Sequence, residues 1–288
     1  MSAKLLLQDF YFWCFNEHLF STIGALRPGA ASALTRLYYG QRPWKEYPLF
    51  PCTDERSLLL IHIPKCGGTS IAKALGRNQI RHLPASVFHF SDPARFQALR
   101  TCAIVRHPYE RMASTLSHFR SVGTDRDKGL SDRLGLSETD APRHIADLFG
   151  KRGIYRDLFM RSNAGRAGFS ASQCDYLCHR NKLLVHNLFT LDRLDEFAGW
   201  LSQQLGKPVE IGHHNKSNRN SAPPAALDDA RIDSGYALDF RLYDLLKSQG
   251  GVALEGSPEI AAISELVESH GQPEPSVHAN GAETPATG

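Results

Sequence analysis

Two short apolar runs, each breaking off beside a basic residue, constrain this chain more than any other feature. Arg56-Ser-Leu-Leu-Leu-Ile-His-Ile63 is bounded by charge at one end and by Pro64 at the other, and Cys102-Ala-Ile-Val105 runs straight into Arg106-His-Pro108. Short runs without polar alternation read as strands buried on both faces, which is how the strands of a parallel sheet read. A helical pattern follows each one, Ile71 to Gly76 after the first and Pro108 through about Phe119 after the second. Further helices are expected near 143–150, 172–180 and 192–205, the last closed by Gly206 two residues ahead of Pro208. Alternating strands and helices predict an α/β fold, a parallel sheet flanked by helices.

Composition sets the outer limits. The chain has 288 residues, 42% hydrophobic and 22% charged, enough for one substantial core or at most two small ones. Residues 1–50 read as an aromatic-rich helical extension, with one helix over 5–26 ended by Arg27-Pro28-Gly29. That helix is expected either to pack on the main domain or to act as a surface for peripheral membrane or partner contact. Residues 51–254 form the working domain, with a surface loop over 121–142. Residues 255–288 form an acidic tail rich in Pro, Gly and Ala, largely disordered beyond His270. Within the tail, Ser257-Pro258-Glu259 starts a short amphipathic helix carrying Ile260, Ile263, Leu266 and Val267.

Taking the tail's six acids, and its lack of Lys or Arg, out of the net charge of +3 leaves +9 on residues 1–250. A basic body suits an anionic ligand. No nucleic-acid motif accompanies it, so no nucleic-acid partner is expected. No uncharged apolar run approaches the roughly 18 residues that a membrane-spanning helix needs. The amino terminus also lacks the pattern of a secretory signal, so the expectation is a soluble, cytoplasmic protein whose membrane contact, if any, is peripheral. Six cysteines without framework spacing read as reduced thiols.

The most informative segment is His62-Ile-Pro-Lys-Cys-Gly-Gly-Thr-Ser-Ile71, a strand-to-helix junction. Gly67 and Gly68 let the backbone bend tightly and turn its N–H groups toward a phosphate or sulfate. Thr69 and Ser70 supply hydroxyls at a helix start, and Lys65 puts a flexible cation at the loop mouth. A Walker loop carries its lysine after the second glycine; here Lys65 precedes both, and the loop is shorter. Arg106-His-Pro-Tyr-Glu-Arg-Met-Ala-Ser114 is a second such junction. Pro108 suits the first helical turn and leaves Arg106 at the strand end, while Arg111 and Ser114 share a helix face. Arg106 and Ser114 read as a second anion site, and Arg111 as a surface ion-pair residue partnering Glu110 or a nearby acid.

HIPKCGGTSI followed by IVRHPYERMAS resembles the two cofactor signatures of the sulfotransferases, in particular the Golgi carbohydrate sulfotransferases and their bacterial relatives. The likeness implies a P-loop-NTPase-like sulfotransferase fold and a co-substrate, 3′-phosphoadenosine 5′-phosphosulfate. Its 5′-phosphosulfate would lie on Pro64, Lys65, Cys66, Gly67, Gly68, Thr69 and Ser70, and its 3′-phosphate on Arg106 and Ser114. Weaker likeness runs on to about residue 245. Ser172-Gln173-Cys-Asp-Tyr176 resembles the family's Ser-Gln-x-x-Tyr segment, and Arg193-Leu-Asp195 its Arg-x-Glu with a shortened acid. His214-Asn-Lys-Ser217 resembles a loop that closes over the nucleotide, making Lys216 and Ser217 binding residues. Tyr236-x-x-Asp-Phe240 resembles the terminal helix. Residues 1–50 and 255–288 match nothing in the family.

The implied reaction is sulfuryl transfer to a carbohydrate or glycolipid hydroxyl by in-line displacement. It asks the protein for positioning, charge stabilisation and a base, and needs no metal. Lys65 would stabilise the leaving oxygens. The base is expected between the two signatures, where the next strand and its loop should deliver His82 or His89, and His82-Leu-Pro-Ala85 is the closer likeness. His62 reads as a packed residue of the first strand, and His107 as the residue opening a helix. Cys174 and Cys178 would face one side of a helix beside His179, but the two further ligands of a zinc site are missing. The rivals are a nucleotide-dependent kinase or other phosphotransferase, and a relative that binds the nucleotide without turnover.

Overall fold

The structure, a computed structural model, describes residues 42–121, 172–179, 181–212 and 230–270. The expected helices over 5–26 and near 143–150, the loop over 121–142 apart from Ser121, the segment carrying Lys216 and Ser217, and the chain beyond His270 lie outside the described residues. Among those described are seven strands: β1 (Phe50–Pro51), β2 (Ser57–Ile61), β3 (Leu99–Val105), β4 (Cys178–His179), β5 (Lys182–Leu183), β6 (Asn187–Thr190) and β7 (Val252–Ala253). The helices are α1 (Arg42–Glu46), α2 (Gly68–Ala74), α3 (Ala85–Ser91), α4 (Pro93–Gln97), α5 (Pro108–Ser121), α6 (Gln173–Leu177), α7 (Leu194–Leu205), α8 (Ala230–Ser248) and α9 (Pro258–His270).

Five strands make the central sheet, in the order β1-β2-β3-β6-β7. β2 runs parallel to β3 and β3 parallel to β6, while β1 and β7 close the edges antiparallel. The fold is therefore mixed α/β, with a mostly parallel sheet flanked by helices. Leu58, Leu59, Leu60 and Ile61 on β2 are each at most 2% exposed, as are Cys102 to Val105 on β3. Full burial on both faces explains why these strands carry no polar alternation. Each large aliphatic side chain so buried contributes about 1.5–3 kcal/mol.

Helices cover the sheet through aromatic contacts. Phe197 and Trp200 on α7 lie 5.0 and 5.4 Å from the ring of Phe189 on β6. Trp44 and Tyr47 stand edge-on to Phe88 of α3 at 5.5 and 4.8 Å, and the Tyr47 hydroxyl donates to the Leu60 carbonyl at 2.7 Å. The amphipathic helix after Ser257 forms as α9 and buries Ile260, Ile263 and Val267 in the same core as the sheet.

Register decides where the loops emerge. Ile61 pairs with Ala103, and Val105 with Thr190, so the three parallel strands finish at one edge. The chain that follows each of them, from His62, Arg106 and Leu191, begins there. In open parallel sheets this carboxyl edge is where ligands bind.

Three expectations need correction. The helix foreseen near 172–180 stops at Leu177, because Cys178 turns extended and enters a short antiparallel ladder with Leu183. Cys174 and Cys178 therefore do not share a helix face. No strand forms between β2 and β3 to carry His82 and His89. After α2 the chain is irregular up to Pro84 and then helical, with His89 inside α3. His62 follows β2 instead of lying within it, though it is buried as expected.

β6 was not foreseen, and one polar residue anchors it. Asn187 donates from Nδ2 to the Thr101 carbonyl at 2.9 Å and accepts from the Glu255 N–H at 3.0 Å, at 2% exposure. Asn187→Ala should therefore destabilise the protein by about 1–3 kcal/mol, the cost of leaving buried main-chain groups unsatisfied. Chemical denaturation checks this, and an unchanged midpoint would remove Asn187 from the account of how β6 is held.

Candidate functional site

The loop from His62 to Gly67 is built by three local constraints. Lys65 adopts φ of +67°, a left-handed conformation uncommon outside glycine, and Gly67 follows at +80°. Such backbone outliers concentrate at functional sites. Gly67 has a second reason to be glycine, since a Cβ there would come within 2.8 Å of Leu191 Cδ1. Gly68 has almost no room at all: its Cβ would fall 1.8 Å from Nε2 of His62, whose ring occupies that space. Ser70 is buried at the start of α2 and Thr69 is exposed.

Arg106 reaches this loop from the next strand. Its Nη1 donates to the Lys65 carbonyl at 3.4 Å, and its Nε pairs with Glu110 at 3.2 Å. Lys65 is half-buried, and its ammonium is pulled down to about 8, chiefly by burial and then by the charge of Arg106. Two cations thus share one corner of the sheet edge, and among the described residues Glu110 pairs with Arg106 and not with Lys65. An anion placed there would relieve both burdens on Lys65.

Arg111 is not the surface ion-pair residue the sequence suggests. It is 2% exposed and its Nε donates to the Pro64 carbonyl at 3.1 Å, while Glu110 is engaged by Arg106. The first turn of α5 sends Arg111 under the loop, where it holds Pro64 in place. Ser114, one turn further along α5, is half-buried.

Gln173 ties the two loops together, a role that nothing in its local sequence signals. Its Oε1 accepts the Arg106 N–H at 2.9 Å, and its Nε2 donates to the Arg106 carbonyl at 2.8 Å. The Cys66 thiol donates to the same Oε1 at 3.5 Å. Burial pushes that thiol up to about 11, so Cys66 stays protonated and serves as a donor, not a nucleophile.

The histidines separate clearly. His62 Nδ1 lies 2.7 Å from the Ile80 carbonyl, and His82 Nδ1 lies 3.0 Å from the His62 carbonyl. A carbonyl can only accept, so Nδ1 carries the proton in both rings. That tautomer leaves the basic lone pair of a neutral His82 on Nε2. The two rings are 4.1 Å apart between centroids. His89 lies apart from this pair, against the rings of Phe90 and Phe96 at 5.0 and 5.6 Å. His107 precedes α5 and packs toward Tyr243 at 5.2 Å. The loop thus gathers Pro64 to Ser70, Arg106 and His82, and excludes His89.

Burial holds His62 neutral by lowering its titration from the usual 6.5 to about 4. Between those values the unfolded chain takes up a proton that the folded one refuses. Stability is therefore complete above about pH 6.5 and is lost as pH falls toward 4, by on the order of 3 kcal/mol. His62→Gln keeps a donor for Ile80 and cannot titrate, so its melting temperature should fall less over that window. An identical acid profile in the variant would show that the loss arises elsewhere. No family model, curated protein or solved structure matches the chain, so residue chemistry and geometry carry the functional reading.

Proposed function

We propose that the chain is a sulfotransferase with the P-loop-like fold of that family. It would move the sulfuryl group of 3′-phosphoadenosine 5′-phosphosulfate to a hydroxyl of a carbohydrate or glycolipid. The observation that supports this most is the convergence of Lys65 and Arg106 on one sheet edge, where the Arg106 guanidinium donates to the Lys65 main-chain carbonyl at 3.4 Å and the charge of Arg106 is felt by the Lys65 ammonium. A ligand carrying two anionic groups suits two cations delivered by two adjacent strand ends.

In this reading the loop from Pro64 to Ser70 holds the 5′-phosphosulfate, with the cation of Lys65 against the bridging and leaving oxygens. Arg106 and Ser114 take the 3′-phosphate, and Lys216 and Ser217 complete the nucleotide contacts. The acceptor hydroxyl attacks sulfur in line as the bond from sulfur to the 5′-phosphate oxygen breaks. A new sulfur–oxygen bond forms, the hydroxyl proton passes to Nε2 of His82, and 3′-phosphoadenosine 5′-phosphate leaves. The His62 carbonyl supports that step by holding the His82 Nδ1 proton. Lys65, lowered to about 8, still carries its charge at neutral pH and can meet the negative charge that builds on the leaving group.

Two measurements test this. Lys65→Ala should lower kcat for sulfate transfer by about 10²- to 10³-fold, the usual loss for one preorganised charge-stabilising group. Binding of 3′-phosphoadenosine 5′-phosphate should weaken in wild type as pH rises through about 8, because the complex needs Lys65 protonated, and Lys65→Ala should lose that dependence. An unchanged kcat would sink the catalytic role of Lys65.

Arg106→Ala should weaken the 3′-phosphorylated nucleotide by about 1.5–3 kcal/mol and leave its 3′-dephospho analogue nearly untouched. Titration calorimetry with both nucleotides distinguishes the cases. Equal losses would mean that Arg106 does not read the 3′-phosphate.

A further inference from the structure

Ser172-Gln173 and Tyr236-x-x-Asp239 have no part in the reaction just described, yet the structure joins them beneath the site. Asp239 on α8 is 1% exposed and accepts three donors, the Gln173 N–H at 2.8 Å, the Cys174 N–H at 3.0 Å and the Ser172 hydroxyl. Gln173, also 1% exposed, then meets both main-chain groups of Arg106 and the Cys66 thiol. The ladder of β3 ends at Val105, opposite Thr190. At Arg106 the carboxamide takes over as a neighbouring strand would.

We propose that Gln173 is the positioning residue of the anion site. It sets the Arg106 guanidinium and the Lys65 loop in one fixed relation, and Asp239 fixes Gln173 from α8. As an account of ligand binding this rests on Arg106 being a phosphate-binding residue. The chemistry of the clamp is specific. Meeting the N–H and the C=O of a single residue takes one acceptor and one donor at the end of one side chain. Glutamine supplies both; leucine supplies neither; an ionised glutamate supplies only acceptors and sets a charge against the Arg106 carbonyl. A protonated glutamate regains the donor. Gln173→Glu therefore makes the clamp depend on a proton, and burial lifts that carboxyl above its ordinary range.

The test uses the full chain as wild type, Gln173→Glu and Gln173→Leu, with 3′-phosphoadenosine 5′-phosphate as probe. Relative to wild type at each pH, Gln173→Glu should bind close to normally at about pH 5 and about tenfold more weakly at about pH 8, while Gln173→Leu stays weak at both. In ligand-free Gln173→Glu, hydrogen exchange corrected for its intrinsic pH dependence should show the Arg106 amide protected at the lower pH and released at the higher. The amide of Ile104 in β3 should be unaffected. Should Gln173→Leu fail to fold, the glutamate variant carries the test alone.

If wild type does not bind the nucleotide, the functional reading fails, and the exchange of Arg106 still decides the clamp. Wild-type-like binding by Gln173→Glu at both pH values would overturn the positioning role while leaving the function standing. Loss of protection at Ile104 together with Arg106 would also overturn it, by showing that Gln173 only supports global stability.

Discussion

The parallel pairing of β2 with β3 is the constraint on which the site depends. With Ile61 opposite Ala103, the chain leaves both strands at the same edge, so residues 41 positions apart in sequence can touch. When one face of a strand is wet, alternation of side chains fixes register, because a slip by one residue would turn the apolar set outward. β2 and β3 are buried on both faces, so alternation cannot perform that task here. Polar side chains instead hold each strand against its other neighbours, β2 against the segment before it and β3 against β6. Tyr47 donates to the Leu60 carbonyl, the His186 N–H to Thr101 Oγ1 at 3.1 Å, and Asn187 to the Thr101 carbonyl. Tyr47 and Asn187 are buried, so a shift of either strand would leave each without its partner, at a cost of about 1–3 kcal/mol apiece.

The same edge concentrates features that oppose folding. Lys65 sits in a left-handed backbone conformation with its ammonium partly desolvated beside a second cation. Backbone strain of this kind costs on the order of 1–3 kcal/mol and persists only where the surroundings over-determine it. Arg111 beneath Pro64 and Gln173 beside Arg106 provide that enforcement, and both are buried almost completely. Stability drawn from the apolar sheet thus sustains an edge that is itself unfavourable.

What the sequence discloses and what it hides follow from how far each signal reaches. Leu58 to Ile61 and Cys102 to Val105 are legible because burial on both faces leaves a mark in consecutive residues. Lys65, Gly67, Gly68 and Arg106 are legible because a strand-to-helix turn demands particular residues at adjacent positions. Arg111 misleads, since an arginine next to Glu110 on a helix reads as a surface pair. Only the placement of the Pro64 carbonyl against α5 reveals why it turns inward. Gln173 and Asp239 lie in segments that the resemblance singles out, but they are 66 positions apart and nothing local says that the two meet. Cys178 departs from its helix because of a partner strand five residues on, at Leu183, which helical spacing alone does not anticipate.

Gly68, His62 and His82 behave as a single unit, for reasons of space and protonation together. The absent Cβ of Gly68 is the space the His62 ring fills. Because that ring is enclosed, its charge is excluded and its Nδ1 proton is committed to the Ile80 carbonyl. The His62 carbonyl, on the same residue, fixes the proton of His82. A side chain at position 68 would therefore act on His82 without touching it, first displacing the His62 ring and then its main chain. Under the proposed chemistry, the second glycine of the loop does more than let the backbone bend near a phosphate. It also sets the direction in which a neutral His82 presents its lone pair, which couples the nucleotide loop to the acceptor's proton through one buried ring.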